Sequence, residues 1–334
     1  MPKQVVLRRP KVIEVEELPP PQERPGHALV SLRLAGICGS DLAAYRGLSP
    51  LARYPLIPGH ELLVDVQAAS GRTDMVGKRA VIEPLLNCGL CVACRSGKYN
   101  ACTSLQVMGV HVDGGLRHEM WVREDRIHPI PDELPDELAV LAEPAAIAYR
   151  AVQRGEVEAG TTAVVFGAGT IGLLITQLLI RARGCHVMVV DRDEWRLSVA
   201  AALGASVLLS SEHLADQVAA QTSGEMAARV FEATGHPDCT LQSTQVVGVG
   251  GRIILIGWNE KPPIFDTITF MRKEAEVFAS RNSLRAFPAV LRLLRHGVID
   301  GSQLVTHRFE LANAASAFEL LDQGGHALKI LIAG

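Results

Sequence analysis

The sequence predicts an α/β protein of two domains: a β-rich domain at the N-terminus, then a doubly wound parallel sheet. The N-terminal part has short apolar or alternating runs, such as Ala28–Leu34, separated by proline and glycine, as is typical of antiparallel strands. From about residue 143, strand-like runs such as Ala163–Phe166 alternate with helical runs such as Thr170–Arg183. That alternation indicates a parallel sheet with crossover helices. A chain of 334 residues is also longer than one hydrophobic core usually supports.

Each element is predicted from a local pattern of apolar residues. In the first part, strands are predicted at Val5–Leu7, Val12–Val15, Ala28–Leu34, Glu61–Val66, Lys78–Ile82 and Leu116–Val122. In the second part, the predicted strands are Ala163–Phe166, Val187–Val190, Arg229–Glu232 and Arg252–Ile256, and the predicted helices are Ala145–Arg154, Thr170–Arg183 and Glu194–Leu203. A final segment, expected to return to the first domain, has helices at Pro288–Arg295 and Asn313–Leu321 and strands at Leu304–Phe309 and Lys329–Ile332.

The composition excludes several classes of function. A net charge of −3 and a pI of about 6.4 provide no basic surface for nucleic acid. The segment Met1–Val12 has no apolar stretch of the kind found in a secretory signal, so we expect a cytoplasmic protein. The run Ala163–Ile180 is apolar enough to suggest a membrane span. Its glycines, threonines and Gln177 argue instead for a buried strand and helix, so no membrane partner is expected.

Four cysteines in one short loop predict a structural zinc site. Cys88, Cys91, Cys94 and Cys102 have the spacing C-x2-C-x2-C-x7-C, and zinc accepts four thiolates at the corners of a tetrahedron. A disulfide cluster is the alternative interpretation. Thiols of cytosolic proteins are usually reduced, and the total of seven cysteines is odd, so zinc is the better explanation.

A G-x-G-x-x-G pattern begins at Gly167, directly after a predicted strand and before a predicted helix. In that context Gly167 makes the tight turn, Gly169 lets the backbone approach a pyrophosphate, and Gly172 allows close packing of the helix on the strand. The helix N-terminus, which includes Thr170 and Ile171, presents free N–H groups to the phosphates. The pattern therefore predicts a dinucleotide site.

Asp191 ends the next predicted strand, nineteen residues after Gly172. A carboxylate at this point accepts hydrogen bonds from the adenosine ribose and repels a 2′-phosphate, which predicts NAD rather than NADP. Arg192 is an opposing signal, because an arginine can bind a 2′-phosphate. The alternative role for Asp191 is to cap the following helix, but Asp193 can fill that role.

A second group of metal-ligand types consists of Cys38 in GICGSD and of His60 and Glu61 in PGHE. A thiolate, an imidazole and a carboxylate can form an open zinc site whose fourth position takes water or substrate. Zinc in such a site is a Lewis acid for an alcohol oxygen, and a nicotinamide accepts the hydride. Because spacing alone does not show that Cys38 meets His60, this prediction depends on its co-occurrence with the cysteine loop and the glycine pattern.

Five motifs together resemble the zinc-containing medium-chain dehydrogenase/reductase family. They are GICGSD at 36–41, GHE at 59–61, the four-cysteine loop, AEP at 142–144 and GAGTIG at 167–172. The resemblance covers the whole chain and implies three parts. They are a GroES-like catalytic domain with a structural zinc lobe over 1–148, a Rossmann NAD-binding domain over 149–285, and a C-terminal segment over 286–334 that returns to the catalytic domain. It also implies catalytic and structural zinc, NAD, and a homodimer or homotetramer.

The resemblance further implies which residues hold the catalytic zinc. Cys38, His60 and Glu61 correspond to the family's site. Glu143 stands where alcohol dehydrogenases have a second cysteine, as it does in the polyol and threonine dehydrogenase branch. Glu143 is expected to bind directly or through water, and Glu61 to exchange with it or with substrate. A site richer in oxygen ligands favours vicinal hydroxyls over a simple alcohol.

The resemblance also implies a path for the proton of the substrate hydroxyl. Ser40, two residues after Cys38, would start a proton relay. Many relatives continue the relay with a histidine three residues further on, but this chain has Ala43 there. The rest of the path, through a ribose hydroxyl and water or through another histidine, is left open.

Three patches narrow the substrate, because they resemble the hexonate dehydrogenases of bacterial sugar-acid pathways. They are Val107–His111 with Asp113–Gly115, Ser280–Asn282, and Thr306 with His307. Arg281 matches the arginine that polyol dehydrogenases place beside substrate, and a guanidinium also suits a carboxylate. Asn282 and His111 are expected to line the same pocket. The alternative for Arg281 is a solvated loop residue.

These observations predict a zinc-dependent, NAD-linked dehydrogenase. We expect it to oxidise a secondary hydroxyl of a sugar acid, of the L-gulonate or L-galactonate type, to the keto acid. The alternatives are a neutral polyol dehydrogenase of the sorbitol or galactitol type, an L-threonine dehydrogenase, and a catalytically retired zinc protein. The complete ligand set and glycine pattern argue against the last of these.

Overall fold

The structure, a computed structural model, describes residues 1–258 and 261–334. This part of the chain divides into two compact units. The first unit comprises Met1–Glu143, Phe287–Gly297 and Gly301–Gly334, and the second comprises Pro144–Ala286 and Val298–Asp300. Most of the segment that follows Ala286 therefore belongs to the same unit as the N-terminal residues.

In chain order, the elements up to the end of the first long helix are β1 Lys3–Arg9, β2 Val12–Glu17, β3 His27–Gly36, α1 Gly39–Arg46, β4 Glu61–Ala69, β5 Arg79–Ile82, β6 Leu85–Leu86, α2 Val92–Arg95, β7 Gln106–Val107, β8 Glu119–Arg123, β9 Ile127–Pro129, α3 Asp136–Ala139 and α4 Ala142–Gly155. The second unit continues with β10 Thr162–Phe166, α5 Thr170–Gln177, β11 His186–Asp191, α6 Glu194–Ala202, β12 Ser206–Leu209, α7 Leu214–Gln221, β13 Ala227–Glu232, α8 Pro237–Val246, β14 Val247–Leu255, α9 Thr267–Lys273 and β15 Glu276–Ala279. The chain then forms α10 Phe287–Arg295, β16 Val305–Glu310, α11 Ala314–Gln323 and β17 Lys329–Ala333.

The first unit is built on a mainly antiparallel sheet with the strand order β16-β17-β3-β4-β5-β9, and β8 also pairs with β3. β3 has neighbours on both sides, and its side chains alternate between buried and half-buried positions. In the register of these strands, Gly36 lies opposite both Leu331 of β17 and Glu61 of β4. The sheet thus brings residues that are far apart in sequence to the end of β3.

The second unit is a parallel sheet with the strand order β12-β11-β10-β13-β14-β15. Ala163–Phe166 of β10 is fully buried, as expected for a central strand covered on both faces. The order of the strands reverses between β10 and β13, and such sheets bind ligands beyond the carboxyl ends of their strands at that point. The predicted fold class, with a β-rich part and a doubly wound parallel sheet, is confirmed.

Some elements differ from the prediction. The helix predicted over Thr170–Arg183 is α5 followed by a π-helical turn at Leu178–Ala182. The strand predicted to begin at Arg252 begins at Val247. Its first residues were missed because the glycines among them weaken the apolar pattern that marks a strand. The elements that were not predicted are α1, α2, α3, α7, α8, α9, β6, β7, β9, β12 and β15. The side chains of β15 are mostly exposed, so it has no apolar alternation to detect.

The apolar run Ala163–Ile180 does not form one continuous helix. It divides into β10, the glycine turn, α5 and the beginning of the π-helical turn. No helix in the two described ranges is long and apolar enough to cross a membrane.

Candidate metal centres and cofactor site

The four-cysteine loop, residues 88–102, is called the lobe. The sulfur atoms of Cys88, Cys91, Cys94 and Cys102 all lie within 4.8 Å of one another, and every cysteine of the chain is a free thiol. Backbone N–H groups donate to the sulfurs: that of Cys91 donates to Cys88 and that of Cys94 to Cys91. Hydrogen bonds from the backbone of Cys94 and Thr103 lower the pKa of Cys91 to about 5. The donor set fits a closed tetrahedral zinc site.

The second predicted group also comes together. The ligand atoms of Cys38, His60 and Glu61 lie within 4.8 Å of one another. Cys38 is the N-cap residue of α1, Glu61 is the first residue of β4, and His60 directly precedes that strand. A thiol, an imidazole and a carboxylate at this spacing fit a zinc ion with an open position. Glu143, the second residue of α4, is not a member of this three-residue group.

Glu143 nonetheless interacts electrostatically with His60 and Glu61 of that group. The residue is only 7% exposed. Burial raises the pKa of its carboxyl group to about 7, against the lowering effect of His60 and with a further raising effect of Glu61. A carboxyl group in such surroundings releases its proton readily when a cation arrives.

Asp41 is part of this centre, although it was not predicted. One carboxylate oxygen lies 3.6 Å from Nδ1 of His60 and accepts a hydrogen bond from the Gly59 N–H, and the other accepts from the Cys38 N–H. Burial opposes the charge of Asp41, but the attraction of His60 and these hydrogen bonds outweigh burial and lower its pKa. Asp41 therefore ties together the two loops that carry Cys38 and His60. Its position in GICGSD, three residues after Cys38, was the available signal.

Lys329 of β17 is the second unpredicted member. Its Nζ donates to both carboxylate oxygens of Glu61, at 2.6 Å each, and to the carbonyl oxygen of Ile37 at 3.0 Å. The Lys329 and Glu61 side chains are only 3% and 1% exposed. A β-carbon at Gly36 would lie 1.9 Å from the Glu61 carboxylate, so glycine is required there. Glu61 therefore has a buried cationic partner in addition to its place beside Cys38 and His60.

The predicted substrate patch at Val107–Gly115 lies against the loop that carries His60. A β-carbon on Gly109 or Gly114 would come within 2.7 Å of the Gly59 carbonyl oxygen. His111 accepts a hydrogen bond on Nδ1 from the Val107 N–H. The glycines of this patch thus have a packing role beside the metal group. Ser40 is exposed in the first turn of α1.

The glycine pattern forms the predicted turn between β10 and α5. Gly167 has a φ of +99°, in the left-handed region that favours glycine. A β-carbon on Gly172 would lie 1.8 Å from the Gly167 carbonyl oxygen, so a side chain cannot fit there. Gly169 caps α5, and Thr170 and Ile171 are in its first turn. The glycine turn therefore leads directly into the N-terminus of α5, and a helix N-terminus after such a turn is the arrangement that binds phosphate.

Asp193, and not Asp191, caps the helix that follows β11. Asp193 is the N-cap of α6 and accepts from the N–H groups of Trp195 and Arg196. Asp191 instead accepts from the Ala168 N–H of the glycine turn at 2.6 Å and from the Arg192 N–H at 2.8 Å. The Asp191 carboxylate is thereby held at the carboxyl end of β11, beside the glycine turn.

Further residues near the glycine turn were missed. Glu232 ends β13 and is buried, and it accepts from the N–H groups of Thr234 and Gly235. The Thr234 methyl group would lie 3.0 Å from a β-carbon on Gly167. The Arg196 guanidinium reaches within 3.8 Å of a β-carbon on Gly169. These contacts depend on tertiary structure, so no local pattern in the chain marks them.

Arg281 and Asn282 lie in the loop between β15 and α10, and they belong to the second unit, whereas the Cys38 group belongs to the first. Arg281 is exposed, and Asn282 has a φ of +48°. A non-glycine residue with this backbone conformation is uncommon. Strained positions of this kind cluster at functional sites.

Residues 24–132 match the family described as alcohol dehydrogenase GroES-like domain, and residues 170–296 match the family described as zinc-binding dehydrogenase. The chain is 32% identical to the starvation-sensing protein RspB of Escherichia coli strain K12, over 99% of this chain and 98% of that protein. It is also 32% identical to the L-galactonate-5-dehydrogenase of the same strain, over 94% of each chain. The crystal structure of RspB from E. coli CFT073 in complex with NADH has a TM-score of 0.93 and covers 100% of this chain and 99% of that one.

Proposed function

This chain belongs to the zinc-binding alcohol dehydrogenase family, and on that premise we propose that it oxidises a secondary hydroxyl of a sugar acid with NAD as the hydride acceptor. The predicted family and enzyme class, with zinc and a nicotinamide dinucleotide as cofactors, are confirmed. The proposal is based mainly on the Cys38–His60–Glu61 group, in which His60 and Glu61 are buried and Cys38 is half-buried. The proposed addition of Glu143, whose carboxyl group interacts electrostatically with His60 and Glu61, would make the site richer in oxygen than a site with two cysteines.

When bound, zinc polarises the substrate oxygen and NAD accepts the hydride. The chain's own residues prepare the site for that chemistry. Cys38 and His60 are the proposed permanent ligands, and Glu61 and Glu143 are the proposed exchangeable ones. The Asp41 carboxylate, 3.6 Å from Nδ1 of His60, is the proposed orienting partner of that ring, in the way that a carboxylate behind a ligating histidine acts in other metal sites. Exposed Ser40 is the proposed first step of the proton path: its oxygen would accept the hydroxyl proton while its own O–H proton passes to solvent.

The second unit supplies the proposed cofactor site. The N-terminus of α5, with Gly167, Gly169 and Gly172, binds the pyrophosphate, and Thr170 and Ile171 contribute N–H groups. Asp191 accepts hydrogen bonds from the adenosine ribose, which favours NAD over NADP. Arg192 is exposed beside it, and its exchange for a neutral side chain should change NADP affinity more than NAD affinity.

The proposed preference of the enzyme for an acid substrate depends on Arg281. An exposed guanidinium in a loop with a strained neighbour, Asn282, can hold a carboxylate through two parallel hydrogen bonds. His111, oriented by the backbone of Val107, is the proposed hydroxyl contact. The similarity to an L-galactonate dehydrogenase supports this substrate class.

The test is NADH formation by zinc-replete protein with matched pairs of substrates. L-Gulonate, L-galactonate and D-mannonate would be compared with sorbitol, galactitol and L-threonine. Preference for an acid, lost in Arg281→Ala and retained in an Arg285→Ala control, would support the proposal. Preference for a neutral polyol or for threonine would overturn the sugar-acid assignment. Inactivity with the whole panel, with both cofactors bound, would point to a different substrate or to a retired enzyme.

We also propose that the protein is a homodimer or homotetramer. The edge strand β15 has no neighbour on one side in the described part of the chain. The preceding helix α9 has no buried residue, and its Ile268 and Met271 are exposed. An exposed edge and apolar side chains are features of an association surface. Sedimentation velocity of Met271→Glu against the parent protein would test it, and unchanged assembly would count against this surface.

A further inference from the structure

We infer that Asn87 strengthens zinc binding in the lobe from outside the ligand set, by donating a hydrogen bond to the Cys94 sulfur while Arg126 holds the amide in the donating orientation. The inference rests on zinc as the metal of the lobe. It does not depend on the substrate proposed above.

The orientation of the Asn87 amide follows from the chemistry of its neighbours. Its Nδ2 lies 3.4 Å from the Cys94 sulfur, and its Oδ1 accepts a hydrogen bond from Arg126. A guanidinium can only donate, so the amide oxygen must face Arg126. The amide NH2 is then left for the sulfur. An amide whose oxygen is bound to a cation is also polarised toward donating more strongly.

Arg126 is itself held firmly. One of its nitrogens lies 3.3 Å from the Glu83 carboxylate, and the side chain is only 9% exposed. The guanidinium lies over the Tyr99 ring, 5.1 Å from its centroid. Glu83 also lies 3.3 Å from His128, which stacks on Phe287 of α10. A buried polar chain thus connects the sheet of the first unit to the lobe, ending at a sulfur.

A donor to a zinc-bound thiolate is useful because four thiolates together outweigh the charge of Zn²⁺. A hydrogen bond that withdraws charge from one sulfur opposes its protonation and its loss from the metal. Cys88 and Cys91 receive such bonds from backbone N–H groups, which a side-chain substitution does not remove. Asn87 provides the corresponding bond from a side chain, so its contribution can be measured.

The experiment measures the rate at which zinc passes from the protein to a chromophoric chelator. It is done in Cys38→Ser protein, so that only lobe zinc is observed. Asn87→Asp keeps the size of the side chain and can still accept from Arg126. It cannot donate when ionised, and it places a negative charge beside the thiolates. We expect its zinc release to be about 10–100-fold faster, which is the usual effect of losing an outer partner of a ligand.

Two variants provide the comparison. Asn87→Ala removes the donor without adding charge, and its release rate should fall between those of the parent protein and Asn87→Asp. Ser96→Ala removes an exposed hydroxyl of the same lobe that contacts the Ala93 carbonyl, and it should leave the rate unchanged. The charge-transfer spectrum of the cobalt-substituted lobe should shift in both Asn87 variants only.

Release from Asn87→Asp at the rate of Ser96→Ala would overturn the inference, since Arg126 keeps its acceptor in that variant. If Asn87→Asp does not fold, equal rates for Asn87→Ala and Ser96→Ala would overturn it. Absence of zinc from the lobe of the Cys38→Ser protein would overturn the inference together with the zinc assignment. None of these outcomes bears on which substrate is oxidised.

Discussion

The lobe and the Cys38 centre differ in where their ligands come from and in what surrounds them. The lobe takes four sulfurs from residues 88–102, and loop N–H groups stabilise them. The Cys38 centre takes unlike donors from separate segments. Two buried charged side chains accompany them: Lys329 pairs with Glu61, and Asp41 lies 3.6 Å from Nδ1 of His60. A closed site can thus be assembled locally. The Cys38 centre, for which we propose ligand exchange, instead has buried charges that only the tertiary fold brings together.

Among variants that distinguish the two centres, Cys38→Ser should have the largest effect, which is a loss of turnover. A Lewis acid contributes several kcal/mol to catalysis, so NADH formation should fall by about a thousandfold or more. Serine is a good helix N-cap, so α1 and the lobe should be retained. Turnover by stopped-flow absorbance and zinc analysis would check this. A variant that binds only lobe zinc and still turns over normally would contradict the assignment.

Lys329→Met should have the next largest effect, on stability. It leaves the buried Glu61 carboxylate without its cation, and breaking a buried ion pair on one side costs about 3–5 kcal/mol. The free energy of unfolding of the zinc-free protein, from urea titration, is the measurement. Lys11→Met, which breaks an exposed pair with Asp322, is the control and should lose at most about 1 kcal/mol. Equal losses in the two variants would show that burial of the Lys329 pair has no special role.

Cys94→Ser should affect stability more than chemistry. Loss of a ligand opens the closed site, and we expect the lobe to lose zinc and the thermal midpoint to fall by roughly 5 °C, since about 1 kcal/mol shifts the midpoint by about 2–4 °C at this size. Differential scanning calorimetry with zinc analysis measures both. An unchanged thermal midpoint with full zinc content would contradict the structural role assigned to the lobe.

Asp41→Asn should have the smallest effect. The Cys38 and Gly59 N–H groups donate to different oxygens of Asp41, so asparagine keeps an acceptor for only one of them, and it also loses the charge behind His60. Zinc affinity of the Cys38 centre should weaken by about tenfold, the lower end of the range for such partners. Competition with a chelator measures this, with Asp65→Asn, in a half-exposed pair with Arg33, as the control. If both variants bind zinc alike, His60 is oriented by other contacts.

The two motifs that sequence could predict best are both short and continuous. The cysteine loop and the glycine turn each specify their geometry locally, and the alternation of strands and helices correctly indicated the parallel sheet. Edge elements such as β15 escaped prediction because their exposed side chains leave no apolar period.

Lys329 and Glu232 could not be predicted because nothing near them in sequence marks their roles. Lys329 reaches Glu61 through the pairing of β17 with β3 and of β3 with β4. Glu232 lies opposite Phe166, the residue before the glycine turn, only because β13 lies beside β10. The patch around His111 was predicted from the sequence as a substrate contact. In the structure, two of its glycines, Gly109 and Gly114, also pack closely against Gly59.

The distance along the chain between Glu61 and Lys329, 268 residues, has a consequence for synthesis on the ribosome. At a translation rate of about 5–20 residues per second, Lys329 emerges roughly 13–54 seconds after Glu61. The lobe's cysteines are all exposed to the cell's metal pool early in that interval. We therefore expect the two centres to be completed in a fixed order. The lobe can take zinc during translation, whereas the Cys38 centre acquires its full electrostatic environment only once β17 has been made.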